Sequence, residues 1–594
     1  MGKKKTRCAV SLLIAVCVAG ATVSGCGDIY TGDGGSLFEA ESERFDRRME
    51  ELFLEEIAAN TLDLHYTLAY PENFGIADYE VTLGEYSLSG MEEREAWLAE
   101  FEKELLGYKV GRLDDDQLLT YDILLDYVQT ERSVDGLSLY SEALGPISGY
   151  QADLPIILAE YTFRTERDIE DYLELVSQVD ELFADIVTFE QKKADAGLFM
   201  PDYVADEVID QCEEFISAGE DNYMIEVFDD KLDAFAGLTG EQKEAYRERN
   251  REIILGDVTD GFKLLIDGLE ELKGSGTNDL GLCYYEDGTR YYEYLVRTRT
   301  GSDDSVEKLM ERTEDYIDQC MQNMVDTVRA RPELLDMLGE ASFPLTEPQE
   351  IMQDLIDKLS QDFPEPPEAS YTIKYVHPSM EEHLSPAFYL TTPIDDAKSN
   401  VIYLNRWYLE SYMGTDLYPT LAHEGYPGHL YQNLFEATAE LPHVRNLFGY
   451  TGYAEGWASY VEFYSYGISG MDEDLANILM WDQASTLGMY AYIDMGVHYK
   501  GWDVSDVAKY LREYNIRSES VAQAMLETMV GDPAGYLSYF IGYLEFLQLR
   551  ETAEDTLGDS FDAVEFHRFL LETGPAPFHL IEKYMEVWME DVKA

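Results

Sequence analysis

Residues 421–432 read Leu-Ala-His-Glu-Gly-Tyr-Pro-Gly-His-Leu-Tyr-Gln, and they restrict the fold more than any other stretch of the chain. Two imidazoles, His423 and His429, flank a carboxylate, Glu424, that directly follows the first of them. Neutral imidazoles are the usual ligands of zinc, and a neighbouring Glu is the usual base for a zinc-bound water. In the common H-E-x-x-H arrangement the two His lie four residues apart on one helical face. Here they are six apart, which leaves them roughly 120° apart around a regular helix. The motif therefore requires a widened or broken turn, and Pro427-Gly428 can provide it: Pro427 has no N–H to give to the carbonyl of His423, and Gly428 accepts unusual backbone angles. The alternative is two unrelated His on either side of a helix-ending Pro-Gly.

A catalytic zinc generally takes three protein ligands and keeps a position for water. Residues 452–462, Gly-Tyr-Ala-Glu-Gly-Trp-Ala-Ser-Tyr-Val-Glu, offer the third. Glu455 sits between Ala454 and Gly456 in an apolar stretch, an expensive place for a carboxylate unless a metal or hydrogen bonds compensate. Glu462, two turns on, is either the partner of a ligand His or a solvated surface acid. The candidate set is one zinc ion per chain on His423, His429 and Glu455, with Glu424 as general base.

Further segments follow in order: Asp494-Met-Gly-Val-His498-x-x-Gly-Trp502, Pro533 with Tyr539-x-Ile-Gly542, and Phe561-Asp-x-x-x-Phe-His567. With His423-Glu-Gly-Tyr-Pro-Gly-His429-x-x-Gln432 and Ala454-Glu-Gly-Trp-Ala458, this series resembles the bacterial domain-of-unknown-function-885 family, most strongly from about residue 371 to 588. The resemblance implies a mostly helical, gluzincin-like metallopeptidase architecture. Family members often carry another His directly after the motif's last one, where this chain has Leu430, so His429 is the better ligand candidate. A tetrahedral oxyanion needs a donor besides the metal. Tyr539 and His498, each in a family-like segment, are the candidates, with Asp494 one turn before His498 as its orienting partner; either could instead be a core residue satisfied by a hydrogen bond. His567 and Arg550 read as structural.

The chain has 594 residues, 45% of them hydrophobic, enough for a large core or two lobes. Asp and Glu total 118 against 43 Lys and Arg, a formal charge of −75 that argues against nucleic acid as a partner. Lys3, Lys4, Lys5 and Arg7 precede an apolar run ending in Val23-Ser24-Gly25-Cys26, which resembles a bacterial lipobox. Residues 1–25 are then a lipoprotein signal peptide, Cys26 is lipidated, and 26–36 form a Gly-rich tether to a membrane facing outside the cytoplasm; a plain secretion signal or an uncleaved anchor are the alternatives. Of Cys212, Cys283 and Cys320, at most two can pair.

Amphipathic periodicity predicts helices over 44–60, 91–106, 114–132, 166–194 and 240–272, forming an N-terminal helical lobe (37–273). Residues 66–79 and 141–155 read as loops that line a cleft. The catalytic lobe (274–594) begins with a helical run over 303–338. β-branched and aromatic runs at 371–376, 388–392 and 401–404 then predict a small sheet. A motif helix over 417–435 and helices over 450–466, 474–499, 503–514 and 521–530 follow. The fold class is mainly α: a large two-lobed helical domain with a small sheet beside the motif helix. The reading is a zinc-dependent metallopeptidase acting on peptides. The rivals are a metal-dependent amidase acting on cell-wall peptides and a lipoprotein that binds peptide or metal without turnover.

Overall fold

The computed structural model describes residues 40–381, 384–408, 415–439 and 441–594; the expected signal peptide, tether and lipidated Cys26 lie outside them. The described chain is mainly α-helical with one three-stranded sheet. Several helices start at sequence-supplied caps: Asp114 and Thr165 each accept the N–H three residues on, with Gln117 and Asp168 reaching back. The helix predicted over 166–194 is two, Glu166–Val176 and Val179–Asp195. Tertiary contact overrides periodicity there, because the Gln178 amide spans the backbone of another segment, donating to Val81 O and accepting from Leu83 N. The loop predicted over 141–155 runs into a helix, Tyr150–Glu160. It accommodates Pro155 because Leu154, Ile156, Ile157 and Leu158 all enter an apolar cluster.

Seven helices carry or brace the motif region: α1 (Gly288–Thr300), α2 (Leu417–Glu424), α3 (His429–Thr438), α4 (Thr451–Ile468), α5 (Glu473–His498), α6 (Leu537–Leu557) and α7 (Ala563–Thr573). The sheet, β1 (Ser370–Tyr375), β2 (Ala387–Leu390) and β3 (Ser399–Leu404), is ordered β1-β3-β2. β1 runs parallel to β3 with Thr372 opposite Val401, and β2 antiparallel with Tyr389 opposite Ile402. β2 is thus an edge strand, and it faces α2.

Apolar packing collects most of α1 to α7 into one large cluster, which also takes Leu119, Ile123 and Leu137 from the N-terminal half. A second joins helices between Leu62 and Leu272 to Val376, Met380, Leu384 and Phe388 around the sheet. Cys212, Cys283 and Cys320 are free thiols. Among the described residues no helix is long and apolar enough to cross a membrane.

The contact of α4 with α6 sets the geometry of the interior. Gly456 lies against Gly542 so closely that a Cβ on Gly456 would meet the Gly542 Cα at 2.5 Å, and one on Gly542 would meet the Gly452 carbonyl oxygen at 2.2 Å. Backbone touches backbone, which only glycine permits. Gly542→Ala is expected to separate these helices and destabilise the chain by ~1–3 kcal/mol or more, read as a lowered urea midpoint; an unchanged midpoint would contradict the packing described.

Candidate metal centre

The motif's extra residues end one helix and begin another. α2 stops at Glu424, and α3 starts at His429. A break, rather than a widened turn within the single helix predicted over 417–435, returns the second imidazole to the first. The fit depends on Gly428, where a Cβ would meet the carbonyl oxygen of His423 at 1.7 Å. Trp457 of α4 fastens the turn by donating its indole N–H to Pro427 O at 2.8 Å.

The result is a triangle of buried ligand-type atoms. His423 Nε2 and His429 Nε2 are 3.2 Å apart, and each lies 3.6 Å from Glu455 Oε2. A tetrahedral zinc with ligands at about 2.0–2.1 Å sets its ligand atoms about 3.3–3.4 Å apart, so the three side chains fit such an ion with little adjustment. Glu455 is 1% exposed, and neither of its oxygens has a hydrogen-bond partner among the described residues. At 3.6 Å its approaches to the imidazoles are contacts of charge rather than hydrogen bonds. A buried carboxylate left this way is costly, and a cation between the three groups removes the cost. Glu462 Oε2 lies 2.9 Å from His423 Nδ1, which turns the other ring nitrogen, with its lone pair, toward the triangle.

Electrostatics agree with a site built for positive charge. Burial works against a charge on His423, but Glu455 and Glu462 outweigh it and hold its pKa well above the ordinary imidazole value. Burial holds His429 below that value. Glu424 accepts from the N–H of Tyr389 in β2 at 2.9 Å through Oε2, while its buried Oε1 has no partner. Burial, with Glu455 nearby, pushes Glu424 up to about 8, against the pull of His423 and the Tyr389 N–H. Tyr539 of α6 is held well above the ordinary phenol value by burial and by the carboxylates of Glu455 and Glu424, and its ring centroid lies 6.5 Å from that of His423.

His498 stands apart from this group and corrects its reading as an oxyanion donor. Its Nδ1 accepts from Leu282 N at 3.1 Å and its Nε2 donates to Met529 O at 2.8 Å, so both ring nitrogens are spent on backbone. Asp494 does not orient it: its oxygens accept from Tyr292 OH and Ala534 N, while Tyr292 stacks on the His498 ring. His567 is likewise structural, donating from Nδ1 to Asp362 O and accepting from Tyr460 OH, which also takes a hydrogen bond from Arg550.

His429, Gln432 and Glu455 open onto a cavity of about 810 Å³. Tyr66, Thr67, Ser141, Glu142, Leu144 and Ser148, from the two segments read as cleft-lining, form part of its wall. Sequence reasoning did not find Arg445, Tyr450 or Arg299, which line the same cavity. Arg445 and Arg299 lie outside the quoted segments, and no local pattern marks them.

The chain matches, over residues 71–585, the family described as bacterial protein of unknown function (DUF885). It belongs to that family. No curated protein matches it. Among solved structures, a protein from Colwellia psychrerythraea described as a candidate lipoprotein aligns with a TM-score of 0.82 at 20% identity, over 93% of this chain and 100% of that one. A candidate lipoprotein of unknown function from Shewanella oneidensis aligns with a TM-score of 0.63 at 16% identity, over 91% and 99%. Both share the fold of this DUF885 member. A candidate oligoendopeptidase F from Bacillus anthracis str. Ames, with a TM-score of 0.29 at 11% identity over 84% and 97%, is too dissimilar to inform fold or chemistry.

Burial holds both His498 and His567 down to about 4. Each is therefore neutral when folded and protonated when unfolded between about pH 4 and 6.5, and the stability it contributes falls as pH falls through that window. His567→Gln is expected to lower the proton uptake on unfolding near pH 5 by about one, read from urea melts across pH 4.5–6.5; an unchanged pH slope would contradict the neutral, bonded ring.

Proposed function

We propose that this protein is a zinc-dependent metallopeptidase that hydrolyses peptides outside the cytoplasm from a lipid-anchored position. The observation that carries this reading is the buried triangle of His423, His429 and Glu455, whose carboxylate has no hydrogen bond of normal geometry among the described residues, beside Glu424 with one oxygen tied and the other without a partner among them. Two imidazoles and one carboxylate are a catalytic zinc donor set. The chemistry zinc supplies when bound is a more acidic water and a polarised carbonyl.

The remaining work falls to the chain. Glu424, oriented by the Tyr389 N–H, takes a proton at Oε1 and delivers it to the leaving amine, and its burial favours holding that proton in between. Tyr539 is the donor for the developing oxyanion. Glu462 fixes the His423 ring. The edge strand β2 and the cavity support a peptide as substrate, since an extended chain can add its main-chain hydrogen bonds to such an edge. The lipobox at Cys26, together with solved relatives described as candidate lipoproteins, supports the anchor.

Metal content by mass spectrometry, with a mixed-peptide digest run alongside, tests the reading. About one zinc per chain is expected, lost in His423→Ala, kept in Glu424→Gln, with cleavage lost in both. Glu462→Gln is expected to weaken zinc affinity about 10- to 100-fold. Metal content unchanged in Glu455→Ala would overturn the ligand set, and no metal after reconstitution would overturn the whole proposal.

A further inference from the structure

With 118 acidic residues against 43 basic ones, every buried cation in this chain has acids to spare. Buried Lys193 pairs with Glu142 and Glu190, and the half-buried Arg94 and Arg312 pair with Glu56 and with Asp304 and Glu545. Arg445 is the exception that faces the cavity. It is 6% exposed and forms no ion pair among the described residues. Its Nη2 donates to Thr573 O and Pro575 O, and its buried Nε has no acceptor. A guanidinium desolvated without an anion is costly, more so than a neutral donor.

Two more donors on the same wall lack acceptors. Among the described residues Gln432, 3% exposed, has no hydrogen bond of normal geometry from its buried Nε2, though the Tyr453 phenol is near it, and the buried hydroxyl of Tyr450 has no partner. All three residues line the cavity. The grouping is electrostatic as well: Arg445 acts on the phenols of Tyr450 and Tyr453 and on the carboxyl of Glu436. Arg299, half-buried, adds another guanidinium to the lining, with Asp532 in electrostatic reach. Donors without hydrogen-bond partners around a guanidinium that has Glu436 and Asp116 in electrostatic reach but no carboxylate in contact describe the complement of a carboxylate.

The position of this group relative to the triangle gives it a meaning. Gln432 follows His429 by three residues on α3, and Tyr450 directly precedes α4, which carries Glu455. One helical turn is about 5.4 Å and one extended residue about 3.3–3.6 Å, so Gln432 and Tyr450 stand within about one or two extended residues of His429 and Glu455 along their helices. We infer that Arg445, with Gln432 and Tyr450, binds the C-terminal carboxylate of a peptide, so that the enzyme releases one or two residues from the C-terminal end; the cleavage part of this rests on the peptidase reading above, and the carboxylate subsite does not. The reaction is hydrolysis: the C–N bond breaks, water's oxygen goes to the carbonyl carbon and its proton to the leaving amine. No further reactant is required.

The test separates binding from turnover. The zinc-loaded full chain carrying Glu424→Gln is titrated calorimetrically with Ac-Ala-Ala-Phe-Ala bearing a free C-terminal carboxylate, and with the same peptide as its C-terminal amide. The free acid is expected to bind at least about tenfold more tightly, the scale of one or more charged hydrogen bonds. Adding Arg445→Gln is expected to abolish that preference. Because Arg445 also ties the backbone after α7, Tyr450→Phe, which removes only a hydroxyl, serves as the second variant and is expected to reduce the preference. Equal binding of acid and amide, binding of neither, or a preference untouched in both variants would overturn the subsite. In the otherwise unaltered enzyme, cleavage of acid and amide with equal kcat/KM would overturn it while leaving the peptidase reading intact. An acid preference in binding with no hydrolysis by the wild-type chain would support the subsite and sink the peptidase reading instead.

Discussion

The interior of the C-terminal half is arranged around a carboxylate that has been taken out of water and, among the described residues, given no hydrogen bond of normal geometry. Glu455 lies on α4, buried, with its Oε2 turned to two imidazoles at 3.6 Å, too distant to bond it. Such a group is tolerated only where the surroundings are rigid enough to prevent it from swinging back to solvent. That rigidity comes from glycine. Gly452 packs against Thr300 of α1, and Gly456 against Gly542 of α6, so three helices meet at backbone contact around the residue. Because Tyr539 sits one turn before Gly542, the same contact that immobilises Glu455 brings the phenol to it.

The second constraint is the junction of α2 and α3. A continuous helix would carry His429 away from His423, and the chain instead stops and restarts within four residues. Here the sequence was legible to the level of need but not of solution. The spacing of six demanded a distortion, and Pro427-Gly428 supplied the means. Whether the helix would bulge or break depended on partners elsewhere, Trp457 holding Pro427 O and Met352 crowding Gly425, which no local pattern reveals.

The same distinction runs through the rest of the fold. The three strands, the helical majority and Glu455 were readable because each rests on local composition: β-branched runs, periodic apolar residues, an acid among apolar neighbours. His498 was misread because its segment resembles a site motif while its ring nitrogens serve to join the backbones at Leu282 and Met529. Glu462 left two readings open, and only the 2.9 Å approach to His423 selects between them. The guanidinium of Arg445 was invisible for the opposite reason: what marks it is the lack of an ion pair among the described residues, although Glu436 and Asp116 lie in electrostatic reach, and a one-dimensional chain rich in acid everywhere cannot display that.

β2 has one more property. Its outward N–H at Tyr389 is already occupied by Glu424, so the sheet edge and the general-base candidate are one mechanical unit. A guest strand laid along that edge has to take its hydrogen bonds on either side of Tyr389, which fixes its phase along the strand much as a missing tooth fixes a zip. Any tilt the guest imposes on β2 is transmitted directly to the carboxylate. A strand docked there would be linked to the Glu424 carboxylate through that single amide.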